Sequence, residues 1–202
     1  MFRIPTYQIC LEGQSLLVQP ASGSGNTIKS VLPTYFSPSV RIVTPARSGV
    51  SFTGLQADAS RRRNIHAKIA TNQLMVLLGG TSDIFWEGDV GAKVYADMGT
   101  VAASWRAARP SGLVLACTIT DCTSFHTYPS MGTEQAAANV AILADANNHF
   151  DGVLDLANVA GLADYLGDGY DDGLHLSTLG ITRACNALVP AITSILPSIP
   201  LA

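Results

Sequence analysis

The sequence predicts an α/β fold in which a doubly wound parallel sheet carries helices on both faces. Three observations lead to this prediction. The 202 residues fit one domain with a full-sized core, so we expect a single domain over residues 1–202. Short apolar runs alternate with helical patterns along the chain, as expected for strands joined by helical crossovers. The apolar runs are nearly continuous, which is typical of strands covered on both faces.

Five such runs are predicted as strands: Tyr7–Gly13, Val40–Thr44, Gln73–Gly79, Gly112–Ile119 and Gly152–Leu156. Together they predict a three-layer α/β/α sandwich around a flavodoxin-like five-stranded parallel sheet.

Five helices are predicted between and after the strands: Asn26–Tyr35, Thr53–Thr71, Asp89–Ala108, Thr133–Phe150 and Thr178–Leu196. The third has the clearest pattern, because Asp89 can cap it and apolar residues recur every three or four positions on one face. These residues are Val90, Val94, Met98, Val101 and Trp105. In the last helix, Pro190 predicts a kink or a split.

Composition limits the classes of function. Hydrophobic residues make up 48% and charged residues 13%, about half the usual ~25%, so a disordered chain is excluded. The low charge fits either an apolar surface patch or a large core under a Ser/Thr/Asn-rich surface. The net charge is −3, and the basic cluster Arg61, Arg62 and Arg63 would point in different directions on a helix. We therefore expect no nucleic-acid partner.

Neither a targeting segment nor an apolar run of about 20 residues is visible, so no membrane span is expected. The compartment stays open, since a signal could have been removed. Cys10 and Cys117 lie in apolar runs typical of buried thiols, and a Cys117–Cys122 disulfide is conceivable. The cysteine spacings match no zinc site, and no cofactor or metal is expected.

Candidate chemistry follows the strands, because sites in such sheets form beyond the carboxyl ends of the strands. The run "DDGLHLS" at 171–177 spaces Asp172 and His175 so that a carboxylate can reach imidazole Nδ1 in a tight turn. A loop aspartate and a helix-capping histidine are the alternative. Ser15 follows the first strand in "GQS", where a hydroxyl would need an adjacent base to act as a nucleophile.

Four blocks of the sequence, "GQSLL", "ARSGVS", "LLGGTSDI" and "DGLHLS", resemble the signature blocks of the SGNH/GDSL hydrolase superfamily in order and spacing. The resemblance extends from residue 7 to about residue 196. It implies that Ser15 is the nucleophile, His175 the general base and Asp172 the residue that orients it. It also implies that the backbone N–H groups of Ser15 and Gly49 bind the oxyanion.

Two positions depart from the family pattern. Gln14 replaces the common Asp, which is similar to the "GQS" of carbohydrate and sialate acetylesterases, although Leu16 stands where that branch has Asn. Ser82 replaces the Asn that donates to the oxyanion, and loss of one such donor typically lowers the rate by about 10²–10³. Ser82 could donate directly, a water could relay, Thr81 could substitute, or the site could be inactive.

The predicted function is a serine carboxylic-ester hydrolase that cleaves acetyl or short-acyl esters of a small molecule or glycan. A carbohydrate O-acetylesterase and a general esterase both fit. The alternative is a catalytically degenerate module that binds glycans or serves a structural role. Further candidates for substrate binding are Gln14, Phe85, Trp86 and His126, although the two aromatic residues could instead cap the core. The oligomeric state stays open.

Overall fold

The computed structural model describes residues 7–14, 26–46, 48–56, 72–145 and 148–202. Within these ranges five parallel strands form one sheet in the order β2-β1-β3-β4-β5. The strands are β1 (Tyr7–Gly13), β2 (Val40–Val43), β3 (Asn72–Leu78), β4 (Leu113–Cys117) and β5 (Gly152–Leu154). This order confirms the flavodoxin-like sheet, and each predicted strand is present within two residues at either end.

The helices in the described residues are α1 (Ile28–Val31), α2 (Thr81–Trp86), α3 (Gly91–Ala108), α4 (Thr123–Thr127), α5 (Pro129–Leu143) and α6 (Thr178–Ile195). A 3₁₀ helix, Leu32–Tyr35, continues α1, and residues 52–56 are also helical. The remainder of the predicted helix Thr53–Thr71 lies outside the described residues. The short helices α2 and α4 were not predicted.

Three helices begin at residues other than those predicted. Thr27 caps α1 through a reciprocal capping box with Ser30, so that helix begins two residues later than predicted. Helix α3 begins at Gly91 after Val90, and the Glu134 carboxylate accepts the Gly91 N–H at 2.7 Å in place of the predicted Asp89 cap. Val90 is 53% exposed and so lies off the buried face that the other four apolar residues form. Helix α5 begins at Pro129, a position that suits proline because its missing N–H has no partner there.

The ends of the last two helices also have local causes. Helix α5 ends at Leu143, earlier than predicted, because the Asp145 carboxylate accepts the backbone N–H groups of His149 and Phe150 in a turn. Helix α6 continues through Pro190, so the predicted split is wrong. A proline inside a helix costs about 3 kcal/mol, whereas each buried aliphatic side chain of α6 contributes about 1.5–3 kcal/mol.

The sheet separates two hydrophobic cores, which confirms the three-layer sandwich. Along β1, Ile9 and Leu11 face the core shared with α1 and α6, whereas Cys10 faces the core shared with α3 and α5. Cys117 and Cys122 belong to opposite cores, so the conceivable disulfide between them is wrong, and all four cysteines are buried free thiols. None of the helices in the described ranges combines the length and hydrophobicity that crossing a bilayer requires.

Candidate active site

The candidate site lies at the carboxyl ends of the neighbouring strands β1 and β3. Helix α1, which follows β1 in the chain, packs in one core, and helix α3, which follows β3, packs in the other. Ligands bind at such a change of face in open α/β sheets. The Gln14 N–H donates to the Leu78 carbonyl at 3.2 Å, so the residue after β1 is held beside the end of β3. Ser15, the predicted nucleophile, is the next residue in the chain and lies outside the described residues.

His175 and Asp172 form a hydrogen-bonded pair, as the spacing predicted. The His175 Nδ1 lies 2.7 Å from Asp172 Oδ2, and Asp172 Oδ1 accepts the backbone N–H groups of Leu174 at 2.9 Å and His175 at 2.6 Å. Burial alone would raise the pKa of Asp172, but these hydrogen bonds outweigh it and keep the pKa below its ordinary value. The pair leaves Nε2 of the imidazole available to accept a proton when Nδ1–H donates to the carboxylate.

The turn that carries this pair is anchored on the short helix α4. The Gly173 carbonyl accepts the N–H of Thr123 at 2.8 Å and its hydroxyl at 3.1 Å. Gly173 has a φ of +74°, and a Cβ there would lie 2.0 Å from the Thr123 hydroxyl oxygen. The turn therefore requires glycine both for its backbone conformation and for its close approach to α4.

Helix α6 holds the loop before this turn from the other side. The Arg183 guanidinium donates to both carboxylate oxygens of Asp168 and to the Gly161 carbonyl. Ser177 caps α6, and its hydroxyl also donates to the Asp168 carbonyl at 2.6 Å. The Asp172–His175 turn is thus fixed between α4 and the start of α6.

A cavity of about 290 Å³ opens in front of His175. Six of the predicted site residues line it: Gln14, Gly49, Ser82, Phe85, Trp86 and His175. Four further lining residues were not predicted as site residues, namely Ser48, Thr81, Ser124 and Leu174, although Thr81 was considered as a substitute donor. Asp172 lies behind His175, in contact with its Nδ1.

Gly49 and Ser82 face the cavity with different polar groups. Gly49 has a φ of +71°, and its N–H has no acceptor among the described residues. The Ser82 N–H donates to the Gln14 side-chain oxygen at 3.2 Å, so that N–H is already committed. The Ser82 hydroxyl makes no hydrogen bond to the described residues and is the group of this residue that can serve a ligand.

Both polar atoms of the Gln14 amide are bound by the protein. The side-chain oxygen accepts from Ser82, and Nε2 donates to the Asp83 carboxylate at 3.0 Å. Gln14 is only 2% exposed. Although it lines the cavity, its amide has an internal structural role, which the sequence did not predict.

Aromatic side chains form one wall of the cavity mouth. The Phe85 and Trp86 rings pack edge to face with centroids 4.5 Å apart, and Tyr128 lies 6.4 Å from Phe85. Trp86 is 70% exposed, so it does not cap the core. Its flat apolar face is available to a ligand.

His126 lies apart from this cavity. Its Nε2 is 2.8 Å from Asp121, and its ring stacks on Tyr165 with centroids 4.3 Å apart. Both His126 and Asp121 line a separate groove of about 480 Å³ bordered by α5. The structure therefore does not bring His126 to the predicted substrate site.

Asp83 belongs to a cluster of three carboxylates. Oxygens of Asp83, Asp89 and Asp97 lie within 4.8 Å of one another. The Lys93 ammonium binds Asp89 at 2.9 Å and Asp97 at 2.7 Å, which raises the pKa of Lys93. An ammonium group thus already compensates the charge that a metal ion would otherwise neutralise.

Asp83 itself was not singled out from the sequence. It is fully buried, and its Oδ1 accepts the Phe52 N–H at 2.7 Å. Burial, with a smaller contribution from the charges of Asp89 and Asp97, raises the pKa of Asp83 to about 6 against the opposing hydrogen bond from the Phe52 N–H. Its place directly after Ser82 in "GTSD" was the available signal, but its partners come from two distant segments.

Comparisons with known proteins agree on the architecture. No family model and no curated protein sequence matches the chain. A member of the lipolytic G-D-S-L family from Veillonella parvula superposes with a TM-score of 0.74 at 18% identity, covering 93% of this chain and 99% of that chain. A family 3 carbohydrate esterase from Clostridium thermocellum gives 0.72 at 16% identity, with coverages of 96% and 98%. A lipase/acylhydrolase from Enterococcus faecalis gives 0.67 at 15% identity, with coverages of 94% and 96%.

These neighbours are lipolytic hydrolases and a carbohydrate esterase, and each aligns over nearly its whole length. The chain has the fold of the SGNH/GDSL hydrolases, the superfamily that its four sequence blocks resemble.

Proposed function

We propose that this protein is a serine ester hydrolase that cleaves acetyl or short-acyl esters through an acyl-enzyme. The observation that carries the proposal is the His175–Asp172 pair beside the cavity. Gln14, the residue that precedes Ser15 in the chain, lines the same cavity. A base that is oriented by a carboxylate and close to a serine is the arrangement that activates a hydroxyl at neutral pH.

In the proposed reaction, His175 Nε2 takes the proton of the Ser15 hydroxyl as its oxygen attacks the ester carbonyl carbon. The carbonyl oxygen becomes an oxyanion that the N–H groups of Ser15 and Gly49 bind, with the Ser82 hydroxyl as a third donor. The tetrahedral intermediate collapses, the bond to the alcohol oxygen breaks, and imidazolium protonates the departing alkoxide. Water, deprotonated by His175, then releases the acid and restores the Ser15 hydroxyl.

The size and walls of the cavity support a small acyl group. A cavity of about 290 Å³ is near the lower limit of small-molecule sites, which favours acetyl over long acyl chains. The exposed face of Trp86 at the mouth can pack on the alcohol part of the substrate, whether an aryl group or a sugar ring. The likeness to a carbohydrate esterase favours testing an O-acetylated glycan among the first substrates.

Turnover of p-nitrophenyl acetate by wild type, Ser15→Ala and His175→Ala tests the proposal. Both variants should lose at least about 10³-fold in kcat/KM while keeping the wild-type Tm. His126→Ala is the matched control, because His126 also pairs with an aspartate but lines a different groove. Equal loss in both histidine variants would contradict the assignment, and an inactive wild type would favour the degenerate glycan-binding alternative.

A further inference from the structure

The fully buried Asp83 carboxylate joins segments from three distant parts of the chain. Its Oδ1 accepts the Phe52 N–H at 2.7 Å, which ties it to the segment that also contains Gly49. Its Oδ2 accepts the Gln14 Nε2–H at 3.0 Å, which ties it to the end of β1. Both bonds place a neutral N–H against a carboxylate, the stronger class of hydrogen bond in a buried site.

The Gln14 amide extends this network to Ser82. Its oxygen accepts the Ser82 N–H at 3.2 Å while its nitrogen donates to Asp83, so the amide has one usable orientation. Gly79 allows this close packing, because a Cβ there would lie 3.1 Å from Gln14 Cγ and 3.2 Å from the Phe52 ring and would require both side chains to shift. Hydrogen bonds thus connect Phe52 to Asp83, Asp83 to Gln14, and Gln14 to Ser82, and Gln14 and Ser82 also line the cavity.

We propose that the Asp83 carboxylate is a positioning residue that, through the Gln14 amide, holds the three segments carrying the oxyanion donors at their mutual distances. The proposal rests on the proposed function, since those segments are the ones that would supply the donors of Ser15, Gly49 and Ser82. Asp83 acts without touching substrate. Ser82 stands where the family has the longer Asn side chain. Because the serine hydroxyl is closer to the backbone, it can reach the oxyanion only if the Ser82 backbone is held in place.

Charged groups around Asp83 determine how the network responds to pH. On α3 and the loop before it, Asp89 and Asp97 lie near the carboxylate with Lys93 bound to both. Strand β1 contributes the buried Glu12, two residues before Gln14, and His175 lies across the cavity. Burial raises the pKa of Asp83 to about 6, so the carboxylate is ionised at pH 8 and protonated in mild acid.

The test exchanges donor and acceptor within the network. Asp83→Asn replaces one of two accepting oxygens with an NH₂ group, so one of three links must break: the link to Phe52, the link to Gln14 or the link from Gln14 to Ser82. We expect kcat/KM for p-nitrophenyl acetate to fall about 10- to 100-fold, part of the effect of losing an oxyanion donor. Adding Gln14→Glu provides a carboxylate that accepts from both Ser82 and the new amide, and this double variant should recover to within about threefold of wild type.

Three controls separate positioning from folding. Asp145→Asn removes another buried carboxylate that accepts two backbone N–H groups, and it should lower the Tm without changing kcat/KM. On acidification of wild type, kcat/KM should fall as both the Asp83 carboxylate and the general base His175 become protonated. In Asp83→Asn, protonation of His175 alone should lower it. The amide proton shift of Phe52 in NMR spectra should titrate near pH 6 in wild type and not in Asp83→Asn.

An impaired double variant, or a loss of activity in Asp83→Asn that only parallels a loss of Tm, would overturn the proposal. A Phe52 amide that titrates equally in both proteins would also overturn it. If wild type neither hydrolyses the ester nor reacts with a fluorophosphonate, the proposed function is wrong and the catalytic role of Asp83 falls with it. The Phe52 titration would then report separately whether Asp83 joins these segments.

Discussion

Replacing Gly173 with alanine tests how tightly the Asp172–His175 turn is held against α4. Gly173 has a φ of +74°, and its carbonyl accepts two hydrogen bonds from Thr123. A Cβ at this position would lie 2.0 Å from the Thr123 hydroxyl oxygen, so either that side chain or the turn must move. Movement of the turn would carry His175 with it.

The loss of stability has two parts. A left-handed backbone costs a residue with a Cβ about 1–2 kcal/mol. Displacing the Thr123 hydroxyl forfeits a hydrogen bond with a net contribution of about 0.5–1.5 kcal/mol. Gly173→Ala should therefore lower the free energy of unfolding by about 2–3 kcal/mol. A displacement of His175 by about 1 Å should also reduce kcat/KM by about 10².

Gly88→Ala provides the matched control for this variant. Gly88 has a φ of +69°, and a Cβ there would meet nothing within 4 Å, so it carries the backbone strain without the collision. We expect urea unfolding to show a loss of about 1–2 kcal/mol for Gly88→Ala, with wild-type turnover. Adding Thr123→Ala to Gly173→Ala should restore most of the turnover, because the nearest remaining atoms, Thr123 Cβ and Tyr165 Cδ2, are 3.4 Å away. Equal losses in the two glycine variants, with unchanged turnover, would refute the close contact with α4.

The other predictions concern the pair, the oxyanion donors, the cavity mouth and pH. Asp172→Asn should lower kcat by about 10³–10⁴ with little change in Tm, because its carboxylate orients His175 from a half-exposed position. Ser82→Asn should equal or exceed wild-type kcat, and a collapse of rate with an intact fold would contradict the donor role. Trp86→Ala should raise KM for aryl esters without changing the Tm, since the side chain is 70% exposed. The raised pKa of Asp83 contributes stability below its ordinary pKa of 3.8 that is lost as pH rises through about 6. The free energy of unfolding of wild type, measured in urea relative to that of Asp83→Asn, should therefore fall by about 2–3 kcal/mol between pH 4 and pH 8.

Local pattern was sufficient to predict most of the sheet. The run Tyr7–Gly13 predicted β1 with both ends correct, because a continuous apolar segment ended by glycine has few other interpretations. The start of α3 was wrong because its first N–H is capped by Glu134, which approaches only after α5 has packed. Helices of five or six residues, such as α2 and α4, contain too few turns for periodicity to reveal them.

The candidate site was predictable where its parts are adjacent in sequence. Asp172 and His175 are three residues apart, so their contact could be expected from a turn alone. The contact of Asp83 with Gln14 and Phe52 joins three segments that meet only in the folded sheet, and no local pattern indicates it. His126 illustrates the converse, because a pairable histidine near the right strand end faces a different groove.

Mass spectrometry of the protein after reaction with a fluorophosphonate would identify the serine that His175 activates. The serine oxygen displaces fluoride from phosphorus, so the adduct marks the activated hydroxyl. We expect one adduct, on Ser15, that is absent in Ser15→Ala and at least about 10³-fold slower to form in His175→Ala. An unlabelled protein, or an adduct on another cavity serine such as Ser48, Ser82 or Ser124, would contradict it.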